Sequence, residues 1–128
     1  MYDLLNGLSV IEASSFVASP SAGLYCAQMD AEVIRVDQIG GGPDFHRWPV
    51  TEAGDSLYWE NLNRAKKSVA LNLGRPEGRE LLEALVRATG QLITNFPAEG
   101  FLSHKRLAAG YSDLITVRVM GWPDGSPA

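Results

Sequence analysis

The stretch that most constrains this chain runs from Glu32 to Pro49, EVIRVDQIGGGPDFHRWP. Val33, Ile34 and Val36 are β-branched and read as a short buried strand, whereas Gly40, Gly41, Gly42 and Pro43 cannot continue one. The chain must turn there. Asp44, Phe45, His46, Arg47 and Trp48 follow, a mixture of acid, aromatic and base that a plain connection does not need. Glycines let a ligand approach the main chain closely, and their N–H groups can face an anion. A mobile surface loop accounts for the same composition, so the stretch alone leaves both readings open.

A length of 128 residues with 45% hydrophobic side chains predicts one globular domain with its own core. The formal charge of -4 and pI near 5.1 argue against non-specific nucleic-acid binding, which needs a broad basic surface. No apolar run is long enough to span a bilayer, and MYDLLNGLSV lacks the basic start and apolar core of a signal peptide, so the expected location is the cytoplasm. Cys26 is the single cysteine, which excludes an internal disulfide and a cysteine-based metal cage; it reads as a small apolar side chain. His46 and His104 are far apart in sequence, and no metal is expected.

Taken in order, Leu8 to Glu12 is a compact apolar run that suits a first buried strand. A small-residue loop, Ser14 to Ser19, follows; with Ser19 as cap and Pro20 at the first helical position, a helix is expected to carry Leu24, Tyr25 and Met29 toward the strand at 33–36. Strand, loop, helix, strand is a βαβ unit, whose parallel strands place the loops at their carboxyl ends on one edge, where open α/β sheets bind ligands. The first loop lacks GxGxxG, so the dinucleotide fingerprint is absent. A helix is predicted over Asp55 to Asn63 with Asp55 as its cap. The basic knot Arg64, Lys66 and Lys67 precedes a strand over Ser68 to Leu73, and either forms a solvated turn or meets an anionic group such as a phosphate. Pro76 to Ala88, closed by Gly90, is the clearest helix, with Leu81, Leu82, Leu85 and Val86 expected to pack on the sheet. Gln91 to Thr94 predicts a strand that delivers Asn95 and Phe96 to the ligand edge; these residues suit either a flat ring or a turn cap and the core. A helix over Phe101 to Leu107, a strand over Asp113 to Met120 and a terminal loop with Asp124 in a turn complete the reading.

From GLSVIEASSFVASP through AEVIRVDQIGGG, SLYWENLNRAKKSVALNL, RPEGRELLEALV and LITNF to LITVRVMGW, the sequence resembles the family III CoA-transferases, the CaiB/BaiF family, in order and in spacing. IGGGPDF, RWPVT and LITNFPAEGFLS look most like members that move CoA between two carboxyls of one substrate molecule. The resemblance implies a Rossmann-like open parallel α/β sheet with helices on both faces, and coenzyme A held as an acyl-CoA substrate. By matching position, Val17 and Ala18 would lie along CoA, Leu71, Asn72, Leu73 and Gly74 would border its adenosine part, and Asn95 with Phe96 would hold it further along. Gln38 stands where a related formyl-CoA transferase has a phosphate-binding arginine. The helix after Asn95 offers His104, Lys105 or Arg106 without a unique match, so Lys66, Lys67 or Arg35 are candidates to replace these phosphate contacts.

Family members resemble one another in using an aspartate that attacks the thioester, and in forming interlocked homodimers. None of Asp37, Asp44, Asp55, Asp113 or Asp124 matches that aspartate, so residues 1–128 are expected to be the amino-terminal CoA-binding portion of a longer enzyme, with no catalytic residue of their own. An α-methylacyl-CoA racemase and a non-catalytic acyl-CoA-binding domain are the alternatives.

Overall fold

In the computed structural model, which describes residues 2–122, nine elements alternate strictly between strand and helix. The strands are β1 (Ser9–Ala13), β2 (Glu32–Gln38), β3 (Lys67–Leu71), β4 (Gln91–Thr94) and β5 (Ile115–Arg118). The helices are α1 (Ala18–Gln28), α2 (Leu57–Asn63), α3 (Pro76–Thr89) and α4 (His104–Gly110). All strand pairs are parallel, in the order β3-β2-β1-β4-β5. The order reverses direction between β1 and β4, and the carboxyl ends at such a switch point leave a crevice between diverging loops.

Two apolar layers sandwich the sheet. Ile11, Val36, Leu71 and Leu92 join Leu82 and Val86 of α3 and Leu107 of α4 on one face; Val10, Val33 and Ile93 meet Ala27 of α1 and Ala31 on the other. Strands buried on both faces read as apolar runs rather than alternations, which is why β1 and β2 were visible in the sequence.

Element types agree with the sequence reading, and the boundaries move for local reasons. α1 begins before Ser19: Val17 is its cap, with no side-chain hydrogen bond, and Pro20 falls in the first turn, where a missing N–H costs nothing. α2 is capped by Ser56, whose hydroxyl accepts from the Trp59 N–H at 3.1 Å, and not by Asp55. β3 stops at Leu71 because the Asn72 side chain accepts from the Gly74 N–H at 3.1 Å and turns the chain. α4 starts later than Phe101, behind the Ser103 cap, and β5 is shorter than expected. The predicted turn at Asp124 lies outside the described residues.

α3 ends at Gly90, in the left-handed conformation with φ +71°. Its buried face is centred on Leu82 and Val86, with Leu85 half-buried. Leu81 does not belong to that stripe: the face turns toward Gly78 and Glu83, leaving Leu81 57% exposed. Leu82→Ala should therefore cost about 2–5 kcal/mol, whereas Leu81→Ala should stay within about 0.5 kcal/mol. Urea unfolding of the two variants checks this, and equal midpoints would contradict the assignment.

Candidate functional site

Three loops meet at the carboxyl edge of the sheet. Ser14 to Val17 follow β1, Ile39 to Arg47 follow β2, and Asn95 with Phe96 follow β4. Asn95 joins the first loop to β4, accepting from the Ser15 N–H at 3.2 Å and donating to the Ser15 carbonyl at 2.9 Å. Asp44 joins the first loop to the glycine loop, accepting from the Phe16 N–H through Oδ2 at 3.0 Å. A cavity of about 20 Å³ marks where Ser15, Gln38, Gly42 and Phe96 come together. Inside the glycine loop, Gly41 has φ +94°, and a Cβ there would lie 2.5 Å from the Phe45 ring, so no larger residue fits.

Beside these loops, at the ends of β2 and β3, lies a cleft of about 400 Å³ lined by Gln38, Ile39, Leu71, Asn72, Leu73 and Gly74. Five of its six residues are those proposed from sequence for the adenosine end of CoA and for position 38. Val17, Ala18, Gln38 and Asn72 are exposed at this edge. Asn95 and Phe96 differ. Both polar ends of Asn95 are used by the Ser15 backbone, and Phe96 is half-buried against the core, so their observed work is to shape the first loop and its floor.

Under the loops lies a buried charge cluster. Arg35, 1% exposed, donates from Nε to Asp37 at 2.8 Å and from Nη1 to Glu12 at 3.2 Å and Asn63 at 2.8 Å; its Nη2 faces Asp44 at 3.8 Å. The guanidinium also lies 5.5 Å from the centre of the Trp59 ring. Lys66 brings its ammonium within 2.7 Å of Glu12 Oε2 and donates to the Pro20 carbonyl at 2.8 Å and to Asn63 at 3.0 Å. Burial pushes its pKa down, while the Glu12 carboxylate holds it up. Gly23 makes room for this arrangement: a Cβ there would stand 1.8 Å from Glu12 Oε2.

Three of the cations considered for phosphate have partners within the protein. Lys66 has its three ammonium donors directed at protein oxygens, and Arg35 is enclosed by carboxylates; neither presents charge to a ligand. Lys67 is exposed but opens β3 opposite Ile34, at the amino end of the sheet, where it pairs with Glu32. That pairing lowers the Glu32 pKa. Cys26 is half-buried, and burial together with Glu12 raises its pKa, as suits an inert thiol.

A second group of polar side chains lies on the far side of β4. His104, Lys105, Arg106 and Arg118 border a cleft of about 600 Å³ with Glu99. Arg106 is paired with Glu83 at 2.6 Å, and Arg118 donates to the carbonyls of Phe96, Pro97 and Leu102, bracing the loop after β4. Sequence reasoning missed Arg118 and assigned no role to Glu12. The signal for Glu12 was present: it and Arg35 are charges in the middle of apolar strands, and buried charges of opposite sign must find each other. They are register partners across β1 and β2.

Residues 5–128 match the family described as CoA-transferase family III. The chain belongs to that family. It is 48% identical to the 2-methylfumaryl-CoA isomerase of Chloroflexus aurantiacus over 98% of its own length and 32% of that protein's. It is 34% identical to the succinate–glutarate CoA-transferase of Agrobacterium fabrum over 96% of its length and 34% of that protein's. The crystal structure of a CaiB/BaiF family protein from Brucella suis superimposes with a TM-score of 0.83 at 30% identity, covering 96% of this chain and 35% of that one. The family III chain described here thus spans about a third of the length of the curated relatives it matches.

If Lys66 is structural, Lys66→Met leaves Glu12 Oε2 buried without its cation, while Oε1 keeps Arg35, at a cost of about 3 kcal/mol. Lys67→Ala should leave the unfolding midpoint where it is, because that pair is solvated. Chemical denaturation of the full-length protein distinguishes the two; a Lys66→Met protein as stable as the parent would restore Lys66 as a free cation.

Proposed function

We propose that residues 1–128 form the CoA-binding portion of a family III CoA-transferase that moves CoA between carboxylates, and that the substrate is 2-methylfumaryl-CoA, with CoA passing between its two carboxyls. The observation that carries this is the convergence of the family's CoA positions on one edge. Val17 and Ala18 are exposed there, and Gln38 and Leu71 to Gly74 line the adjoining cleft. Asn95 and Phe96 support the first loop from behind.

The contribution of these residues is to bind and orient, not to react. Asp37 and Asp44, the aspartates nearest the loops, are buried on Arg35 and already accept from Ser68 and the Phe16 N–H. The family resemblance, in which none of these aspartates matches the nucleophile, supports assigning the attacking carboxylate to another part of the parent protein. Splitting the exchange into attack on the thioester, an anhydride and a second thioester replaces one hard step by easier ones. The names of the relatives, CoA-transferases and a CoA isomerase, favour this reading over a racemase or a non-catalytic acyl-CoA-binding domain. The described residues contain no helix long and apolar enough to cross a membrane. We assign the parent protein to the cytoplasm, as a homodimer without nucleic-acid partners or metal.

Two measurements test the proposal. The purified full-length protein should isomerise 2-methylfumaryl-CoA without an added acceptor. CoA binding without turnover would support the non-catalytic reading, and solvent deuterium entering the acyl chain of a 2-methylacyl-CoA would support the racemase. Gln38→Glu, which puts a carboxylate into the cleft proposed for the phosphate-bearing end of CoA, should weaken CoA by about 10-fold in low salt and less in high salt. Unchanged affinity by calorimetry would remove the cleft from the binding site.

A further inference from the structure

Phe16 holds a backbone conformation that side chains avoid, with φ at +66°. A bulky residue stays in the left-handed region only where its surroundings over-determine it. Side chains from two separate loops do so here. Asn95 grips both polar groups of the Ser15 backbone. Asp44, with no solvent exposure, accepts the Phe16 N–H through Oδ2 and turns Oδ1 toward Arg35. From the same glycine loop, Arg47 places its guanidinium 6.0 Å from the centre of the Phe16 ring, so residue 16 is held by main chain and side chain alike. The next residues are Val17 and Ala18, exposed and opening α1.

We propose that Asp44 is a positioning residue for the acyl-CoA seat. It fixes the Ser15–Phe16 turn in its left-handed form, so that Val17 and Ala18 present a ready-made edge to the ligand. This rests on the acyl-CoA reading above. A carboxyl suits the task, because its Oδ2 accepts the Phe16 N–H at 3.0 Å while Oδ1 lies 3.8 Å from the Arg35 guanidinium. A turn ordered before binding spares the ligand the cost of ordering it.

The test uses the full-length protein, with Asp44→Asn, Asp44→Ala and the double variant Asp44→Ala with Phe16→Gly. CoA affinity is measured by calorimetry, and exchange of the residue 16 amide is followed without ligand. Asp44→Ala should speed that exchange and weaken CoA about 10-fold. Asp44→Asn, whose amide oxygen still accepts the N–H, should lose less. Adding Phe16→Gly to Asp44→Ala should recover part of the affinity, because glycine adopts a positive φ without strain although it leaves the turn less ordered. Three results overturn the proposal: an Asp44→Ala protein that binds CoA as the parent does, one whose residue 16 amide stays protected, or a loss that glycine does not recover. If Asp44→Ala does not fold, Asp44→Asn decides on the same two readouts. An unmodified protein that binds no CoA defeats the acyl-CoA reading itself, a result distinct from any of these.

Discussion

The buried guanidinium of Arg35 is the interaction on which the rest of this edge depends. Removing such a charge from water costs several kcal/mol unless carboxylates and hydrogen-bond acceptors surround it. Its partners come from separate elements: Glu12 from β1, Asp37 from β2 itself, Asp44 from the glycine loop and Asn63 from the end of α2. Satisfying one side chain therefore ties together strand register, loop closure and helix placement. A slip of one residue between β1 and β2 would carry Glu12 to the opposite face of the sheet and leave Arg35 short of a partner. Lys66 supplies the second cation, and without it Glu12 would face Arg35 with one oxygen uncompensated.

This dependence explains which parts of the molecule were legible in the sequence. Element types were readable because β1, β2 and β4 are buried on both faces and α3 carries its own start and stop residues. The gathering of the loops on one edge was readable for the same reason, since parallel strands joined by helices leave their carboxyl loops on one side. Side-chain roles were not. Lys66 and Lys67 are adjacent in sequence, yet one is enclosed beside Glu12 and the other pairs with Glu32 in solvent at the amino end of the sheet. A basic run gives no sign of which of its members points inward; only the position of Glu12 across the sheet decides it. Leu81 illustrates the same limit on a helix, where the face of α3 turned to the sheet, centred on Leu82 and Val86, decides which leucine leaves the core.

The separation of labour that results is consistent with a binding edge. Charged side chains that would attract phosphate in isolation are consumed below the surface, which leaves the exposed loops largely uncharged at Val17, Ala18, Gln38 and Leu71 to Gly74. Such loops offer main chain and apolar surface, while the cations bordering the edge lie beyond β4, at Lys105 and Arg118. Residues 5–128 match CoA-transferase family III, and a CoA thioester is the occupant we propose for this edge.

Amide hydrogen exchange of the full-length protein with and without saturating CoA tests the account most directly. The account predicts ligand-dependent protection at residues 15–18, 38–43 and 71–74, with none at Lys66 and Lys67. Protection confined to residues around Lys67, or absent from all three loops in a protein that binds CoA, would contradict it.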